Sequence, residues 1–328
     1  MDAVTAPVLD APALETLVSA AVAAPSVHNT QPWRFRLVPE TSVLEVRAAP
    51  ERALPAIDPQ GRALHVSVGA AVFNLRTAAR HLGWAPGVRL LPDPAEPDLL
   101  AGVRLDEPAP CRVPAVDALY DAIWRRHSAR SPFTGPPVPE GVLADFAEAA
   151  RAEGAELLLP DEEETARLLR LTAEAERRNT VDPAQRAESR RWLREPGAGP
   201  DGVPAAALGP QDADGRLPMR DFGALAPERH LAPQRFEARP RIAVLLTRGD
   251  GPEDWLRAGL ALEHVLLAAT VHGVRASLLH QAMEWRFLRW EARDARHGPA
   301  FAQMLIRFGY GPEGAPTPRR PAAEVLDG

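Results

Sequence analysis

PSVHNTQPWR, residues 25–34, packs two hydroxyls, an imidazole, two carboxamides, an indole and a guanidinium into ten positions. Upstream, Leu14, Leu17, Val18, Ala21 and Val22 recur at helical spacing in an alanine-rich segment that stops at Pro25, so the polar run is a loop at a helix end. Downstream, WRFRLV (33–38) alternates and leads to SVLEVRA (42–48), which predicts two strands turning at PET. The loop's side chains and backbone N–H groups suit a flat heteroaromatic ligand with several donors and acceptors. The same residue types also stabilise a loop through Asx and Ser turns.

Further along, GRALHVSVGAAVFNLRTAARHLGW (61–84) reads as a long helix ending near Gly83, with VRLLPD (88–93) as a strand followed by a Pro/Asp-rich loop. A second block, from 116, runs a helix closing at the Ser/Pro/Gly cluster within 116–139, a helix (142–154), a strand (155–160) and a solvated amphipathic helix (161–180) whose acidic first turn suits the macrodipole. The chain closes with a strand at 241–249, a helix at 254–273, a strand at 274–281, a charged helix around 283–296, a strand at 302–311 and a proline-rich tail. Residues 73–93 and 264–281 each run apolar helix, glycine stop, strand, which reads as a degenerate internal duplication. Between the blocks, residues 195–240 are loaded with Pro, Gly and Ala; a structureless stretch this long inside a domain is a lid or an insertion. Its Phe222, Leu225, Leu231 and Phe236 favour a packed lid.

The chain has 328 residues, a net charge of −6 and no lysine, so all 38 basic residues are arginine. The overall field disfavours nucleic acid, while each arginine can fork onto phosphate or carboxylate. Cys111 is the single cysteine, which excludes an intrachain disulfide and a thiolate metal cluster and fits a reducing cytoplasm. No metal-ligand spacing stands out among the histidines, and we expect no metal site. MDAVTAPVLDAPALE has no basic residues ahead of an apolar stretch, and LVSAAVAA is too short to span a bilayer, so we expect neither export nor membrane insertion.

RRHSAR (125–130) is a second dense cluster, three arginines and Ser128 where a helix ends. It can meet a phosphate through charge-assisted contacts or stand as a solvated charge run. Arg319 and Arg320 repeat the theme in the tail.

Together these motifs carry a resemblance. APSVHNTQPWRF resembles the flavin-side loop of the FMN-dependent nitroreductase family, and RRHSARSPF resembles that family's phosphate-binding start. With RRHSAR at mid-chain, the sequence is similar to the actinobacterial Acg-like branch, whose single polypeptide looks like two fused protomers. The resemblance implies an α+β, nitroreductase-like fold with two degenerate halves, 1–112 and 113–328, mimicking a dimer within one chain. It implies that Arg126, Ser128 and Arg130 hold the FMN phosphate with Arg125 nearby, and that Arg319 and Arg320 take the place of the family's late basic ligands. Pro25, Ser26 and Asn29 would face the ring and ribityl side with Gln31 in support, and Leu278, Leu279, His280 and Gln281 would lie near the N5 and pyrimidine edge.

Val27 stands where a second serine often follows in the family, and neither half carries both motifs. One FMN per chain is therefore expected. The implied activity is hydride transfer from NAD(P)H through flavin N5 to a nitroaromatic, quinone or other small acceptor, with no obligatory side-chain acid or base; His28, His127 and His280 are candidate proton donors. The alternatives are an FMN-sequestering protein with a lid over the flavin and a flavin tailoring dehydrogenase. The expected partners are small molecules, with no nucleic acid or membrane, and the protein is expected to be a cytoplasmic monomer or homodimer.

Overall fold

Asp10 opens the first helix, its carboxylate accepting the N–H of Ala13 at 2.9 Å with a proline in the first turn, and α1 (Ala11–Val22) buries Leu17, Val18 and Val22. The computed structural model describes residues 7–111, 113–195, 197–221, 224, 227, 231–293, 298 and 300–327. After the polar loop come the hairpin strands β1 (Trp33–Val38) and β2 (Val43–Ala48), then the long helix α2 (Arg62–His81), β3 (Gly87–Leu90) and β4 (Leu99–Arg104). α3 (Pro114–Arg125), α4 (Glu140–Ala152), β5 (Glu156–Leu158), α5 (Glu162–Val181) and α6 (Pro183–Arg191) follow, with the two-residue pair β6 (Leu193–Arg194) and β7 (Val203–Pro204). The remaining elements are β8 (Arg241–Thr247), α7 (Pro252–Val271), β9 (Arg275–Leu279), α8 (Arg286–Glu291), β10 (Phe301–Gly309), α9 (Ala322–Val325) and β11 (Leu326–Asp327).

The main strands form two separate sheets, ordered β11-β1-β2-β4-β3 and β5-β8-β10-β9. All pairings in them are antiparallel except β11, which lies parallel to β1 with Phe35 opposite Leu326. The chain's end thus completes the sheet built by its beginning.

α2 and α7 pack against each other, almost entirely buried, between the two hydrophobic clusters that serve the two sheets. Glycine makes this possible: a Cβ on Gly69 would lie 2.2 Å from the Leu256 carbonyl oxygen, and one on Gly259 would lie 2.1 Å from that of Val66. Each helix ends at a left-handed glycine, Gly83 (φ 99°) and Gly273 (φ 70°), before turning into a strand. The expected helix–glycine–strand pair is therefore present twice, and the two copies are packed together.

β4 departs from the sequence reading, which left this region as loop. LLAGVR is an inner strand with five of its six residues buried, so it lacks the alternation that marks a half-exposed strand. α6 and β11 were also not anticipated; the latter, two residues long, forms only because β1 offers it an edge. Phe222 and Leu225 of the expected lid lie outside the described residues. Leu217, Met219 and Phe236 sit in a hydrophobic cluster with β8, β9 and β10, so the described part of the segment is packed. No helix of the described residues is long and apolar enough to cross a membrane.

Candidate functional site

A cleft of about 1420 Å³, its open mouth included, is lined by residues drawn from 25–67 and from 126–319. Its first wall is the polar loop. Ser26 Oγ accepts the Gln31 N–H at 2.9 Å and closes the loop on itself, while His28, Asn29 and Gln31 hold left-handed backbone at φ 49°, 54° and 51°. Three such residues in four is a strained arrangement, sustained only where surrounding contacts over-determine it.

Those contacts are visible. The Asn29 amide donates to Gly202 O (2.9 Å) and Pro318 O (3.0 Å) and accepts from Arg319 Nη1 (2.9 Å). Gln31 donates to Pro200 O (2.8 Å) and accepts from the Arg320 N–H (2.8 Å). The loop thus fastens the start of the 195–240 segment and the C-terminal tail, and walls the cleft with Pro25, Ser26, Val27, His28 and Asn29.

Beside this loop the cleft wall is cationic. α3 stops at Arg125, which stays outside and donates to Asp121 O, whereas Arg126 leaves the helix extended (φ −72°, ψ 117°) and turns inward. Arg126 is buried and Arg319 half-buried, and both reach the same carbonyl, Ala23 O, at 3.3 Å each. Burial pulls Arg319 down to about 9, helped by the charge of Arg126. The Nε atom of each has no hydrogen-bond partner; the carboxylate near Arg126 Nε is Glu263, at 3.5 Å. Ser128 and Arg130 line the cleft beside them, Arg130 held through Ala207 O at 2.7 Å and drawn to about 10 by burial and by Arg220.

Leu278, Leu279, His280 and Gln281 line the cleft from the end of β9. Of the residues singled out in the sequence, Gln31 and the side chains of Arg125 and Arg320 do not reach it; Arg320 folds back onto Glu324. The reading also missed Arg62, Asp58, Ser67, Met219, Arg220 and Glu284, which do. Glu284 had a faint signal, four residues after His280. Arg220 had none, standing alone in an aperiodic stretch.

Phe236 packs in the core against Arg307, whose guanidinium carbon is 5.0 Å from its ring. Val203, Gly209, Pro210, Met219 and Arg220 of the segment line the cleft. Arg220 donates to Glu284 and lies 3.3 Å from His280 Nε2, which is 3.0 Å from Glu284 Oε1. Asn179 completes the carboxylate's shell at 2.6 Å. Burial would raise Glu284, but Arg220 and His280 more than offset it and hold the carboxyl at about 2. His28, its ring 6.2 Å from that of His280, has both nitrogens buried without partners and is pushed well below its ordinary value, first by burial and then by Arg220.

Arg220→Met should therefore strand a buried carboxylate and destabilise the fold by roughly 3–5 kcal/mol at neutral pH. Without its guanidinium, Glu284 rises above its unfolded value, so the penalty exists above about pH 4 and fades as pH falls and the group protonates. Urea unfolding at pH 7.5 and 5 should show the gap to wild type narrowing at the lower pH; an equal gap would contradict the pairing.

No protein-family model matches the chain. Among curated proteins it is 33% identical over 325 residues to "Putative NAD(P)H nitroreductase Rv3131" of Mycobacterium tuberculosis, covering 97% of this chain and 92% of the relative. The chain belongs to the nitroreductase family. It is also 28% identical over 320 residues to "Putative NAD(P)H nitroreductase acg" of the same species, with 95% of each chain covered, which places it with the Acg-like nitroreductases. Membership brings the nitroreductase-like α+β fold expected from the paired motifs. Among solved structures, a nitroreductase with bound FMN from Desulfitobacterium hafniense aligns at a TM-score of 0.39 and 17% identity, over 61% of this chain and 92% of that one. One with bound FMN from Bacteroides fragilis aligns at 0.36 and 14%, over 62% and 92%. The assignment rests on the sequence relatives.

Proposed function

We propose that this chain is an FMN-dependent oxidoreductase of the nitroreductase type, taking hydride from NADH or NADPH and passing electrons to a nitroaromatic, quinone or other small acceptor. One observation carries the reading: Arg126 and Arg319, nearly two hundred residues apart, converge beside the strained 25–29 loop at one end of the cleft, with Ser128 and Arg130 next to them. A phosphate monoester matches this donor set, because its oxygens accept several charge-assisted hydrogen bonds at once. The names of the mycobacterial relatives support the redox assignment.

FMN, when bound, supplies the two-electron carrier. In this reading Arg126, Arg319, Ser128 and Arg130 anchor the phosphate; Pro25, Ser26 and Asn29 face the ribityl and ring side; and the backbone of Leu278–Gln281 borders the ring's polar edge. Residues 1–112 and 113–328 act as two fused protomers that share one FMN. With that interface internal, the protein works as a cytoplasmic monomer.

A second reading has its own support. Met219 and Arg220, from the Pro/Gly-rich segment, line the cleft, as a protein that holds FMN under a lid without rapid turnover would require. Anaerobic stopped-flow mixing of the yellow protein with NADH and NADPH separates the two. Rapid flavin bleaching in wild type supports the reductase. Bleaching that appears only after Met219→Ala supports sequestration, and none in either protein would overturn the reductase reading.

A further inference from the structure

Glu263 lies on α7, fully buried, with neither carboxylate oxygen hydrogen-bonded. The Asn74 amide of α2 faces it, also without a hydrogen-bond partner, and Arg126 Nε stands 3.5 Å from Oε1. An isolated buried carboxylate costs several kcal/mol, and the charges that face this one are those of Arg126, at the end of α3, and Arg319, in the tail. The neighbouring His264 turns elsewhere, 3.1 Å from Glu153 of α4, which Arg76 of α2 also meets. The cation pair that walls the cleft therefore has a single buried counter-ion among the described residues.

We propose that Glu263 is a positioning residue that couples capture of a phosphate monoester at Arg126 and Arg319 to uptake of one proton. Without phosphate, the Glu263 carboxylate balances the two guanidinium groups. When a phosphate dianion takes up their charge, the carboxylate loses its compensation and accepts a proton from solvent, becoming a neutral buried acid. The inference rests on the phosphate assignment made above and deepens it.

Burial already lifts Glu263 to about 7 against the opposing charges of Arg126 and Arg319. Weakening that pull by binding raises it further, so uptake falls in the window above pH 7. There the phosphate of FMN, with its second ionisation near pH 6, is already mostly dianionic. His127 also lines the cleft, and burial with the charges of Arg126 and Arg319 lowers it, so it is neutral in the same window.

The test is calorimetric titration of the apo protein with FMN, and with riboflavin as the phosphate-free probe, in buffers of different ionisation enthalpy from pH 7 to 8.5. Wild type should take up a substantial fraction of a proton with FMN and none with riboflavin. Its FMN affinity should fall with pH, by at most about tenfold per unit. Glu263→Gln should bind FMN with no proton uptake and a flat profile, while His127→Asn should keep the wild-type uptake. Equal uptake in wild type and Glu263→Gln, or equal uptake with riboflavin, would overturn the coupling. Should Glu263→Gln fail to fold, infrared difference spectra of wild type decide: a protonated-carboxyl band grows on adding FMN and not riboflavin, and its absence sinks the proposal. FMN that does not bind at all would instead bring down the FMN reading, and this inference with it.

Discussion

Arg126→Ala combined with Arg319→Ala is expected to yield protein that purifies without FMN. Both side chains line one end of the cleft and share the Ala23 carbonyl. A hydrogen bond to a charged group contributes about 1.5–3 kcal/mol, so losing one from each arginine weakens FMN binding by at least roughly 100-fold. Riboflavin affinity, which owes nothing to the phosphate, should change far less. The decisive comparison is fluorescence titration of the double variant with both flavins, alongside Arg125→Ala and Arg320→Ala as controls, since those side chains lie outside the cleft. A double variant that retains full FMN stoichiometry would put the phosphate elsewhere.

Gly259→Ala is expected to cost more than any surface change and to damage the fold and the cleft together. Its new methyl would sit 2.1 Å from the Val66 carbonyl oxygen, 2.8 Å from Gly69 Cα and 2.9 Å from the Ala70 nitrogen. These are backbone atoms of a buried helix, so no side chain can swing aside and α2 and α7 must part. Overpacking of this kind costs about 1–3 kcal/mol, occasionally more, which in a large domain lowers the melting temperature by roughly 2–4 °C per kcal/mol. Gly259→Val should not fold. Because Ser67 on α2 and Leu262 on α7 both line the cleft, Gly259→Ala should also weaken FMN binding. An unchanged melting temperature would mean that the helices do not cross in contact at these glycines.

Much of this arrangement could be read from the residues themselves. Apolar runs at helical spacing, each ended by a glycine, gave α2 and α7 with the strands after them, because a left-handed stop needs glycine whatever the tertiary context. The two polar motifs were legible for the same local reason. PSVHNTQPW cannot continue a helix past its prolines, and RRHSAR carries more like charge than a helix end keeps without a partner.

What stayed hidden depends on distance in the chain. β4 is buried on both faces and loses the alternating signature, and β11 exists only as an addition to β1. Arg125 and Arg126 look alike in sequence, yet the end of α3 falls between them and sends one outward and one into the cleft. Glu263 reads as an ordinary acidic residue in an apolar helix, and Arg220 as one more charge in a proline-rich stretch. Packing against partners 40 to 200 residues away makes both of them buried ions. Asn29 and Gln31 were read as flavin-side groups, and their amides hold the 200–202 backbone and the tail as well.

Direct titration of the apo protein with FMN, followed by flavin fluorescence and absorbance, bears most heavily on the whole picture. One FMN should bind per chain, with riboflavin weaker by the contribution of the phosphate. A chain that purifies colourless and leaves added FMN as fluorescent as free flavin would contradict it.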